Sequence, residues 1–164
     1  MNSKAKGTNF ERELIHVLWK SGFAAVRVAG SGSMSYPSPD IVASNGKITL
    51  AFEVKSRTKL PVYFPEQEIK DLIMFSNLFG AEPYIALKLH RRGWKFLIAK
   101  DLIKTSKGYK VDEETFMSGH DLNEVLGKYV QAKLPECGIG DRSGIFDKSS
   151  TEVDGRDSAD FTQA

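Results

Sequence analysis

Asp40, Glu53 and Lys55 are the residues of this chain whose types and spacing suit a defined chemistry: Pro39-Asp40 is followed, after twelve residues, by the triplet Glu53-Val54-Lys55. Alternate side chains of an extended strand share a face, so Glu53 and Lys55 project together while Val54 turns to the opposite side. Two carboxylates facing each other repel, and one tends to take up a proton unless a cation lies between them. Their oxygen ligands suit magnesium, with manganese able to replace it. A site of this kind fits phosphodiester hydrolysis, which needs an activated water and charge neutralisation around the phosphorane-like transition state. Lys55 either orients or deprotonates that water or stabilises transition-state charge, and the sequence leaves both roles open. An exposed strand of alternating charge would produce the same short pattern without any chemistry.

A third carboxylate, Glu11, follows Phe10 at the edge of the apolar face of an N-terminal helix, where it can turn inward. Glu13 lies about two hundred degrees away on the wheel and is expected in solvent. A glutamate at a helix start is also favoured by the dipole alone.

The elements that must position these groups follow from periodicity and turn residues. Phe10, Leu14, Val17 and Leu18 recur at helical spacing between Gly7 and Lys20, and Ser21-Gly22 closes that helix. Phe23 to Val28 reads as a strand, followed by a glycine- and proline-rich loop. Asp40 to Ala43 resumes extended structure, and Asn45-Gly46 predicts a two-residue hairpin that brings Lys47 to Lys55 back beside it. A second helix is predicted over Pro65 to Phe79 and stopped by Gly80. Strands follow at Pro83 to Leu89 and Trp94 to Ile98. A last helix opens at Asp121, capped with Glu124, and carries Leu122, Val125, Leu126, Tyr129 and Val130 to a stop near Pro135. The expected architecture is α/β: a mixed β-sheet flanked by helices.

Composition narrows the class. The chain has 164 residues, 41% hydrophobic and 27% charged. Its longest apolar runs fall well short of the roughly 20 residues of a membrane-spanning helix, so a soluble protein is expected, and a lone cysteine fits a cytoplasmic one. The single Cys137 excludes an internal disulfide and a multi-cysteine zinc site, and His16, His90 and His120 share no metal-ligand spacing. Beyond Leu134 seven acidic residues stand against three basic ones, which leaves the body before it with an excess of +6. The chain is thus expected to divide into a basic domain, residues 1–134, and an acidic, disordered tail, residues 135–164.

Four ordered motifs, Gly7-x-x-Phe10-Glu11-Arg12, Arg27-Val-Ala-Gly-Ser31-Gly32-Ser33, Pro39-Asp40-Ile41 and Glu53-Val54-Lys55-Ser56-Arg57, resemble the archaeal Holliday-junction resolvase family from Met1 to about Lys133. The resemblance implies a restriction-endonuclease-like fold of the PD-(D/E)xK type. It implies a homodimer that nicks two opposed strands of four-way junction DNA with magnesium, in recombination and repair, where other recombination or replication proteins are further partners. It makes Glu11, Asp40 and Glu53 metal-site acids, Lys55 the catalytic lysine and Ser31 a loop hydroxyl near the scissile phosphate. Lys4, Lys6, Arg12, Arg27, Arg57 and Lys59 are the candidate DNA-facing groups. Many relatives carry a basic cluster after the serine-glycine-serine, where this chain has Met34-Ser35-Tyr36, so backbone grip must come from elsewhere. A polar residue of the relatives' second helix falls at Gln67 or Glu68, in a register the sequence does not fix. In that second helix Ile69, Leu72, Ile73, Phe75 and Phe79 fill one face while Met74 and Leu78 stay apolar on another, a surplus suited to self-association. The alternatives are another nuclease of the same type, acting on flap, single-stranded or duplex DNA, and a non-catalytic module that binds branched DNA.

Overall fold

The computed structural model describes residues 3–29 and 36–127, with side chains from residue 9 onward. Ser31, the side chains of Lys4 and Lys6, Tyr129, Val130 and the tail at 135–164 therefore lie outside the described residues. Helix α1 spans Ser3–Lys20 and ends in a paired set of hydrogen bonds, Phe23 N–H to the Leu18 carbonyl and Gly22 N–H to that of Trp19, around Gly22 at φ 86°. Glycine reaches this left-handed conformation without a Cβ clash, so the helix stops where the sequence predicts.

Five strands form the main sheet: β1 (Ala24–Arg27), β2 (Ile41–Ser44), β3 (Thr49–Arg57), β5 (Glu82–Leu89) and β6 (Gly93–Ile98), in the order β1-β2-β3-β5-β6. All neighbours are antiparallel except β3 and β5, which run parallel because α2 (Glu66–Phe79) crosses between them. The expected mixed sheet flanked by helices is present. No helix among the described residues is long and apolar enough to cross a membrane.

β3 separates two apolar layers. Leu50 and Phe52 face α1 with Leu14, Leu18, Ile41, Tyr84 and Phe96, and Val54 packs against the same layer. Ala51 faces α2 with Ile69, Leu72, Ile85 and Leu87. Strand alternation therefore sends Glu53 and Lys55 to the α2 side. A strand buried on both faces has little freedom to slip, which fixes the height at which these two side chains emerge.

Two features differ from expectation. The tip of the β2–β3 hairpin is Gly46-Lys47, one residue later than the Asn45-Gly46 turn predicted. Ser44 pairs with Thr49, and the Asn45 side chain accepts from the N–H groups of Lys47 and Ile48, both at 2.9 Å. A one-residue displacement of the tip moves the register by two, so Ile41 lies opposite Phe52 and Asp40 comes level with Glu53 rather than Ala51. Secondly, a small sheet of β4 (Val62–Pro65), β7 (Ile103–Thr105) and β8 (Gly108–Val111), ordered β4-β8-β7, was not signalled by periodicity. Its inner residues Val62, Phe64 and Val111 join the α2-side core, where Phe116 of the short helix α3 (Glu113–Ser118) also packs. The last described helix, α4 (Leu122–Val125), opens with the reciprocal Asp121–Glu124 cap that the sequence predicts but ends at Val125, with Leu126 as its C-cap and Gly127 at φ 68°, rather than continuing to Pro135.

Candidate active site

Asp40 is held at the start of β2 by its own polar atoms. Its N–H donates to the Phe52 carbonyl at 3.0 Å, and its Oδ2 accepts from the Val54 N–H at 2.9 Å. The carboxylate is thereby turned along β3 to meet Glu53. Burial, the nearby charges of Asp40 and Glu68, and a hydrogen bond with Asp40 together push the Glu53 carboxyl up to about 8, although the Lys55 ammonium pulls the other way. Crowded carboxylates of this kind repel one another, and hard oxygen donors are what a divalent ion such as magnesium takes. The donor set therefore fits magnesium.

Lys55, two residues along β3, donates to Glu68 Oε1 at 2.5 Å, and both side chains are only about one-fifth exposed (20% and 22%). Its ammonium lies 5.5 Å from the centre of the Phe64 ring. Glu68 stands in the first turn of α2, beside buried Ile69, whereas Gln67 is exposed and donates to Asp71. The second-helix residue that reaches the site is thus Glu68 and not Gln67.

The pattern of the archaeal Holliday junction resolvase (Hjc) family matches residues 2–134. The chain belongs to that family. It is 50% identical over 133 residues to the crossover junction endodeoxyribonuclease Hjc of Archaeoglobus fulgidus, covering 81% of this chain and 98% of the relative. The Methanocaldococcus jannaschii Hjc is 37% identical over 132 residues, covering 80% and 94%. The solved structure of the Archaeoglobus fulgidus Hjc, a Holliday junction resolvase from an archaeal hyperthermophile, superposes with a TM-score of 0.71 at 50% identity, over 73% of this chain and 98% of that one.

Within this resolvase fold the remaining predicted residues fall in different places. Glu11 forms an ion pair with Arg27 of β1. Among the described residues no group of three or more His, Cys, Asp or Glu has the arrangement to hold a metal ion. The structure brings Asp40 and Glu53 together and pairs Glu11 of α1 with Arg27 of β1, one residue before Val28, whose N–H donates to the Asp40 carbonyl at 2.9 Å. Glu13, expected in solvent, instead accepts from Lys88 at 2.5 Å and from the Trp94 indole at 3.0 Å. Partial burial alone would raise its pKa, but the Lys88 and Trp94 hydrogen bonds and the Lys88 charge hold it below its ordinary value. The helical wheel missed this because the partners come from β5 and β6, far along the chain.

Arg12, Arg57 and Lys59 are exposed. Arg57 lines an open cleft of about 790 Å³ together with Lys55, Lys88, His90 and Arg91. Three of these basic groups, Lys88, His90 and Arg91, were not picked out in the sequence. The run Leu89-His90-Arg91-Arg92 is visible as a polar turn, yet only the parallel β3–β5 pairing, extended by His90 N–H to the Arg57 carbonyl at 3.1 Å, sets it beside the catalytic strand.

Proposed function

We propose that this chain is a structure-specific endodeoxyribonuclease that resolves four-way DNA junctions, as a homodimer, by magnesium-dependent nicking of two opposed strands. The observation that carries the reading is the convergence of Asp40, Glu53 and Lys55 at the central strand β3 in a chain of this family. Asp40 and Glu53 hold magnesium, with manganese able to replace it. Bound there, the ion supplies Lewis-acid polarisation of the phosphate and a more acidic water. Lys55 reaches the same space and orients the attacking water or neutralises charge on the phosphate as it is attacked. Glu11 and Arg27 brace α1 against β1 beside the carbonyl of Asp40, and the Ser31 hydroxyl, in the segment joining β1 to β2, contacts the scissile phosphate.

Substrate grip is electrostatic. Arg57 at the end of β3 and Arg91 of the β5–β6 turn line one open cleft in which a sugar-phosphate strand would meet cations, whereas the Lys88 ammonium is held by Glu13 on the α1 side of the sheet. Dimerisation rests on α2, where Leu78 is 81% exposed and Met74 54% exposed, beyond what a solvated helix face requires. A twofold dimer presents two identical sites to the two related strands of a junction.

The test is cleavage of four-way, flap and linear duplex DNA of matched length, in magnesium and again with the ion chelated. Paired nicks confined to the four-way junction and abolished by chelation are expected. Equal cutting of linear duplex would replace junction resolution by general nuclease activity.

A further inference from the structure

We propose that Glu68 is a positioning residue that takes the Lys55 ammonium in place of Glu53 and directs it toward the substrate. The inference rests on the reading of Lys55 as catalytic. A lysine side chain has four carbons and many rotamers, so its charged end goes where the strongest acceptor lies. On the α2 side of β3 the obvious acceptor is Glu53, two residues back on the same face. A Lys55–Glu53 pair would lay the ammonium back against the strand, away from whatever enters the site. Glu68 provides the alternative: a carboxylate on a different element, 2.5 Å from the lysine nitrogen and shielded with it from most solvent.

The placement is enforced from both sides. Pro65 precedes α2 and sets its first turn, and Ile69 and Leu72 anchor that turn in the core, so Glu68 cannot follow the lysine away. The Phe64 ring bounds the other flank of the ammonium. An ammonium has three N–H groups, so donation to one carboxylate oxygen leaves others directed at whatever enters the site. Gln67, the adjacent helix residue, is turned to Asp71 and cannot substitute.

The experiment measures single-turnover cleavage, junction affinity under chelation, and the magnesium concentration for half-maximal rate in Glu68→Ala, Glu68→Gln, Lys55→Ala and the Glu68→Ala/Lys55→Ala double variant, with thermal melting as a check of folding. Glu68→Ala is expected to slow cleavage by about 10- to 100-fold, the scale of a misplaced catalytic group, with affinity and magnesium requirement unchanged. Glu68→Gln, which retains an acceptor oxygen, is expected to recover most of the rate. In the Lys55→Ala background the Glu68→Ala change is expected to add no further loss, because a positioning residue has nothing left to position. Wild-type cleavage by Glu68→Ala while Lys55→Ala is inactive would overturn the proposal alone. So would a loss repaired by more magnesium, or one that persists undiminished in the Lys55→Ala background. Full activity of Lys55→Ala would instead remove the reading of Lys55 on which the proposal stands.

Discussion

Glu53 is the residue at which burial and charge meet. In the folded protein its carboxyl keeps a proton up to about pH 8, whereas at its ordinary value of 4.5 it would already be ionised in the unfolded chain. A carboxyl with a raised folded-state pKa binds its proton more tightly when folded. Its effect on stability is therefore absent below about 4.5, grows unfavourable as the pH rises, and is complete above about 8. Glu53→Gln is expected to raise the thermal midpoint of the metal-free protein at pH 8.5 and to leave it nearly unchanged at pH 4. Magnesium at pH 8.5 is expected to raise the midpoint of the wild type and to do far less for Glu53→Gln, since a ligand stabilises only the state it binds. Equal melting curves for the two proteins at pH 8.5 would show that burial of Glu53 costs nothing.

At the scale of elements, the small sheet is the part of the fold least written into periodicity, yet its Phe64 ring lies against the Lys55 ammonium. Its tightest point is Gly108, paired with Pro65 at the end of β4. A Cβ at Gly108 would lie 2.2 Å from the Phe64 carbonyl oxygen, and the residue has φ 144°, which side-chain-bearing residues rarely adopt. Neither backbone can yield without breaking the β4–β8 pairing that seats Phe64 in the core. Gly108→Ala is expected to destabilise the protein by about 2–4 kcal/mol, read as a lower urea midpoint. A variant with the wild-type midpoint would mean that β8 shifts freely and that this sheet does not support the site.

For the whole molecule the open question is what covers the outer side of α2. Leu78 is 81% exposed, Phe79 56% and Met74 54%, and Phe79 stacks on Phe75 at 5.1 Å between ring centres, so the aromatic pair is already ordered. A second copy placed on this face would relate two active sites by a twofold axis. Leu78→Glu is expected to convert the protein from dimer to monomer in sedimentation, because a charge buried in an apolar interface is strongly unfavourable. On a junction extruded from a supercoiled plasmid, the dimer is expected to make paired nicks and linear product, and the Leu78→Glu protein single nicks and open circles. A wild-type protein that sediments as a monomer would remove this face from the explanation.

Much of the site is set by local backbone geometry, which is why the sequence alone determines it. Alternation along β3 puts Glu53 and Lys55 on one face, glycines at positions 22 and 80 end two helices, and Asp121 with Glu124 starts another. Each of these depends on neighbours within a few residues and on fixed 3.6- and 2-residue periods. What needed the tertiary structure depends on contacts between distant segments. The hairpin tip one residue beyond the expected turn sets Asp40 level with Glu53, since turn position fixes register and a hydrophobic pattern tolerates a shift of two. The parallel pairing of β3 with β5 carries His90 and Arg91 to the cleft. The crossing of α2 selects Glu68 over Gln67 as the partner of Lys55. Arg27 takes Glu11, which lies inward at 14% exposure as the helical wheel places it, and Lys88 and Trp94 take the more exposed Glu13. Periodicity reports which side of an element is apolar. Which charged group meets which is decided only when the elements close on one another.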